Sequence, residues 1–174
     1  MKQLMVLSLV VLFSLSSCVT TSIRSNKSLE YTEKLDKVFV LVKGTDFTNN
    51  TFKPFFTKLY ASLKAKGVAG GSYYIEPLSL KTDEEIESLI DEANPKLVMI
   101  IEQEEVRRFT SSPIRSGTGI LRSGATFNIK ITKFGSEKPI WRASLDAEGS
   151  HGITQAATKA SRRVIEKLEA DGLL

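Results

Sequence analysis

The sequence predicts an α/β (α+β) domain on a single mixed sheet, in the order β-α-β-α-β-β-β-α, with the helices packed on the sheet. Three observations point there. Val38–Val42 and Leu97–Ile101 are apolar at every position, as central strands covered on both faces should be. Between them, apolar residues recur at helical spacing. After them, Phe127, Ile129 and Ile131, then Trp141, Ala143 and Leu145, alternate with other residues, as half-exposed strands do.

Residues 1–17 read as a secretory signal. Lys2 and the amino terminus give the positive start, Leu4–Leu15 the apolar stretch, and small residues follow. The stretch falls short of the ~20 apolar residues a spanning helix needs. Leu15-Ser16-Ser17-Cys18 then sets an aliphatic residue and two small ones before a cysteine. This resembles the lipobox of bacterial lipoproteins. The resemblance implies that the sulfur of Cys18 receives a diacylglycerol and that the signal is cut just before it. Two other readings are plain cleavage at the small-x-small Ser14-x-Ser16 and an uncleaved anchor. The lipoprotein reading is preferred because Cys18 is the sole cysteine, and an odd cysteine in an oxidising compartment would otherwise be a free thiol. One acyl chain binds a bilayer only at about 10⁴ M⁻¹, whereas two or three on one residue would hold the mature protein there.

Residues 18–36 are expected to be a lipidated tether, polar and poor in large apolar side chains, spanning roughly 25 Å as a coil. Neither Val19 nor Thr20 is acidic. By resemblance to enterobacterial lipoproteins, this favours the outer membrane, with the domain facing the periplasm.

Residues 37–174 are expected to form one domain, long enough to build a core without disulfides. Val38–Val42 is its first strand, closed by Lys43-Gly44. A helix capped by Asn50 or Thr51 follows, with Pro54 in its first turn. Its buried face is Phe52, Phe55, Phe56, Leu59 and Leu63, and Gly67 stops it. Ser72–Glu76 is the second strand. Thr82-Asp83-Glu84-Glu85 spells a capping box with acids at the positive end of the helix dipole. Ile86, Leu89, Ile90 and Ala93 form that helix's buried face, and Asn94-Pro95 ends it. Leu97–Ile101 is the third strand, and right-handed crossovers make the three parallel. Ala125–Lys133 and Pro139–Ala147 form an antiparallel hairpin around Gly135-Ser136. Trp141 is assigned to the core. A last helix from about Ile153 presents Ile153, Ala156, Ala157, Ala160, Val164 and Leu168, with Ser161-Arg162-Arg163 and Glu166-Lys167 largely outside that face, and ends at Asp171-Gly172.

Residues 103–124 stand apart. Arg107, Arg108, Arg115 and Arg122 are interleaved with serines and glycines, a candidate surface for an anion or a partner. The flanks Glu102–Arg108 and Gly119–Arg122 are expected to extend strands around a polar loop. Gly117-Thr118-Gly119 lacks the context of a phosphate-binding loop.

Glu102, Glu104, Asp146, Glu148 and His151 are the candidate acid–base groups, without a motif to join them. A catalytic residue, a cofactor and a metal are therefore not predicted. The formal charge of +4 falls by one with Lys2, a mild excess that suits an anionic membrane surface but not a nucleic-acid binder.

The element order resembles that of periplasmic α/β lipoprotein domains, and is similar to the amino-terminal domain of the Tol translocation protein and to the lipoprotein of curli secretion. Element order carries fold and not function. The expected role is a lipid-anchored binding or assembly module of the envelope, with the membrane and an envelope protein as partners. The alternatives are a hydrolase or transferase acting on glycan or lipid, and a small-ligand carrier.

Overall fold

The computed structural model describes residues 19–44, 49–76, 78–111, 120–149 and 153–174. Among them are six strands: β1 (Val19–Lys27), β2 (Val38–Lys43), β3 (Ala69–Ile75), β4 (Leu97–Ser111), β5 (Ile120–Lys133) and β6 (Pro139–Gly149). Three helices join them: α1 (Asn49–Ala65), α2 (Asp83–Ala93) and α3 (Ile153–Ala170). The strands form one mixed sheet in the order β1-β6-β5-β4-β2-β3. As expected, β2 lies parallel to both β3 and β4, and β5 and β6 form an antiparallel hairpin.

The topology dictates which face each helix covers. The step from β2 to β3 moves one way along the sheet, and the step from β3 to β4 returns across β2. Right-handed crossovers then place α1 and α2 on opposite faces. Accordingly, Phe55, Leu59 and Leu63 of α1 and Ala157, Ala160, Val164 and Leu168 of α3 share one core with Val38, Val40, Val42, Phe127, Ile129, Ile131 and Trp141. Phe55 stacks on Phe127 with ring centroids 5.1 Å apart. On the other face Ile86 and Ile90 of α2 form a smaller core with Phe39, Leu41 and Val98, against which Tyr73, Ile75 and Ile100 pack partly buried. The alternating side chains of β2 thus enter two cores, which is why its sequence shows no polar face.

The local signals act as expected at several ends. Thr82 accepts from the Glu85 N–H while the Glu85 carboxylate accepts from the Thr82 N–H, completing the capping box. Asn94 closes α2 in the left-handed region at φ 43°, and Gly67 follows α1 at φ 72°.

Four expectations need correction. Residues 19–27 are not coil: they pair in register with β6 from Val19↔Gly149 to Lys27↔Trp141. The strand escapes recognition because its covered positions, Thr21, Ser25 and Lys27, are polar apart from Ile23. Helix α1 begins at Asn49, so Asn50 and Thr51 lie inside it and Pro54 is past its first turn. Strand β3 begins at Ala69, three residues early. Ser161 is buried, its hydroxyl donating to the Thr158 carbonyl at 3.0 Å. Cys18, Arg115 and His151 lie outside the described residues.

Candidate functional site

Helix α2 covers one corner of its face of the sheet and leaves the rest open. Strand alternation and register define what this open face presents. Across the sheet, Ile100, Lys130, Arg142 and Asn26 form one row. The next row is Lys43, Glu102, Asn128, Ser144 and Arg24. Beyond it come Glu105, Thr126, Asp146 and Ser22, then Arg107, Gly124, Glu148 and Thr20.

The charges along these rows are segregated. Arg107 lies among acids, with Nη2 donating to Asp146 Oδ1 at 2.7 Å, Nη1 3.5 Å from Glu148 and Nε 3.8 Å from Glu105. Thr126 Oγ1 donates to the same Asp146 oxygen at 2.7 Å. Lys43 faces Glu102 at 3.3 Å. By contrast, Lys130 and Arg142 are direct cross-strand partners, and like charges in that position repel. Arg24 joins them from β1. Arg24, Asn26, Glu102, Asn128, Lys130, Arg142 and Ser144 line a shallow groove of about 530 Å³. Three cations, two amides and a hydroxyl, beside the one carboxylate, Glu102, that Lys43 engages, make this a surface rich in hydrogen-bond donors suited to carboxylate or phosphate oxygens.

This arrangement redistributes the residues singled out in the sequence. Arg107 is on the open face but engaged by carboxylates. Arg108 and Arg122 lie on β4 and β5, where the register pairs Arg108 with Ser123 and Phe109 with Arg122. Of the candidate acid–base groups, Glu102 pairs with Lys43, Asp146 and Glu148 pair with Arg107, and Glu104 is exposed at the bulge of β4. Among the described residues no group of three or more acids, histidines or cysteines could hold a metal ion. The Arg24–Lys130–Arg142 cluster is not legible in the sequence, because three residues from three strands meet only through the register.

A second polar cluster lies on the covered face. Asp171, just past α3, accepts from Ser25 Oγ at 2.5 Å, Trp141 Nε1 at 2.7 Å and Lys167 Nζ at 2.8 Å. Burial opposes its charge, but the hydrogen bonds from Lys167, Ser25 and Trp141 outweigh it and hold the carboxyl below the ordinary carboxylate value. This cluster ties β1, β6 and α3 together and is structural. Gln103, on the covered side opposite Phe127, has both amide atoms buried without a hydrogen-bond partner.

No protein-family profile and no curated protein sequence matches the chain. The fold is similar to that of the PelC dodecamer from Paraburkholderia phytofirmans, at 16% identity over 84% of this chain and 95% of that one, with a TM-score of 0.56. A variant of the same protein gives 17%, 84%, 96% and 0.57. The lipoprotein GNA1162 from Neisseria meningitidis aligns at 15% identity over 78% of this chain and 99% of that one, with a TM-score of 0.45. At these identities the PelC likeness is one of fold.

Proposed function

We propose that the chain is a lipid-anchored envelope module, attached to the outer membrane through Cys18, that docks an acidic segment of another envelope protein on the open face of its sheet. The observation that carries this reading is the Lys130–Arg142 pair. Two cations placed directly opposite one another destabilise a sheet, and neither they nor Arg24 beside them has an ion-pair partner among the described residues, while Lys43, Glu102, Glu105, Arg107, Asp146 and Glu148 are matched. An acidic partner would relieve the repulsion and use the amides and hydroxyl between the cations. The test is a photo-crosslinking residue in place of Ser144 in the full-length protein in its native membrane. The expected result is one repeatable adduct that Lys130→Glu with Arg142→Glu abolishes. Adducts unchanged by the double reversal would sink the proposal.

The sheet edges support a second reading, assembly with copies of itself. Strands β1 and β3 end the sheet and run in opposite directions, so β3 of one copy could pair antiparallel with β1 of the next. The PelC structures of similar fold are named as dodecamers. An adduct mass that is a multiple of the chain's own would favour this reading over docking of another protein.

A further inference from the structure

Helix α2 is a ridge on the same face as the Arg24–Lys130–Arg142 groove, and its charge is opposite. It carries Asp83, Glu84, Glu85, Glu87, Asp91 and Glu92 and no base, in a chain whose formal charge is +4. All of these acids are exposed. None has an ion-pair partner among the described residues. Ile86 and Ile90 face the sheet. At about 3.6 residues per turn, the stripe opposite them is Glu84, Glu87, Ser88 and Asp91. It points away from the chain's own sheet and cannot turn back to Lys130 and Arg142, two and three strands from β2. An unmatched acidic ridge beside an unmatched basic groove makes a face complementary to itself.

The register says how two such faces meet. Helix α2 packs on Leu41 of β2, with Tyr73 and Ile100 against the same small core. Leu41 is level with Ile100, Ile100 with Lys130, and Lys130 with Arg142. Strands β2 and β3 lie on one side of β4, and β5 and β6 on the other. With open faces together, a two-fold axis along β4 lays β2 of one copy over β5 of the other, and β3 over β6. Rotation about an axis parallel to the strands keeps every residue at its level. Helix α2 of each copy therefore lies over the Lys130–Arg142 pair of the other, with Glu84, Glu87 and Asp91 aimed at it. The same axis keeps Val19 of both copies at one end, as two lipid anchors in one bilayer require.

We infer that α2 of a second copy occupies the groove whenever no other acidic segment does, in a two-fold pair made by the open faces. This rests on the reading of that face as the receptor for an acidic segment, and adds its regulation: an envelope partner enters by displacing α2. The contact is made twice in each pair, consists largely of charge-assisted hydrogen bonds and weakens as salt rises. It acts only between copies, so a dilute single chain keeps the repulsion between Lys130 and Arg142.

The test uses the full-length protein, purified from membranes in detergent so that no other envelope protein is present. Cys18 is the only native cysteine, and the chain without added cysteines sets the baseline. Ser88→Cys with Asn128→Cys, mildly oxidised, is expected to give a covalent dimer, and either substitution alone several-fold less. Lys130→Glu with Arg142→Glu should abolish the crosslink. Adding Glu84→Lys with Asp91→Lys should restore it, a rescue that a folding defect would not allow. No dimer, a dimer indifferent to the reversal, or one that the second reversal does not restore overturns the inference. The docking reading outlives that result if Ser144 in native membranes still crosslinks to another protein through Lys130 and Arg142; if that adduct also fails, both fall.

Discussion

Strands β5 and β6 carry two chemistries back to back. Towards α1 and α3 they present Phe127, Ile129, Ile131, Trp141, Ala143 and Leu145, all buried. Towards solvent the same strands present Asn128, Lys130, Arg142 and Ser144, interleaved one for one with the first set. The covered set supplies the apolar burial that stabilises the fold. The open set contributes little to stability and can hold repelling charges at small cost. A backbone that is fixed from one side can carry a recognition surface on the other.

The largest break in this comparison is on the covered face. Leu145 is fully buried in the main core, and Leu145→Ala should cost about 2–5 kcal/mol from lost burial and the cavity left behind. Urea unfolding with an unchanged slope and a lower midpoint would report it. An intermediate effect belongs to Asp171, a charged group on the covered side. Asp171→Asn removes the charge that Ser25, Trp141 and Lys167 address and should cost about 1–3 kcal/mol near pH 7. Because its folded carboxyl titrates below the ordinary value, its contribution is complete above about pH 4 and fades as pH falls through the lowered value. Melting curves of wild type and Asp171→Asn should therefore converge in acid; a constant gap would assign the effect to packing. The smallest effect, of opposite sign, is on the open face. Lys130→Glu turns a repelling cross-strand pair into an attracting one and should stabilise by a few tenths to about 1 kcal/mol, less at high salt. A lowered melting temperature would show that Lys130 and Arg142 are already neutralised within the chain.

The parts of the fold legible in the sequence are those governed by neighbours along the chain. The capping box at Thr82–Glu85, the left-handed stop at Asn94 and the doubly apolar Val38–Val42 each announce themselves within a few residues. Strand β1 does not, because as an edge strand it buries little and needs only Ile23 among its covered positions. The site was less legible still. Arginines crowded in sequence, Arg107 and Arg108, drew attention, yet Arg107 is occupied by Glu105, Asp146 and Glu148. Lys130 and Arg142 each look like an ordinary exposed strand residue until their register sets them face to face.

The pairing of β1 with β6 also imposes a timetable. A chain synthesised from its amino terminus delivers Val19–Lys27 first, and the Trp141–Gly149 ladder that receives it almost last. Until then β1 has no partner. Closure over such a sequence separation is slow, so β1 is among the last strands to be fixed although it is made first. A chain truncated before β6 would leave β5 as a bare edge, and bare edges pair with one another. The last strand to arrive thus separates a finished sheet from an aggregating one.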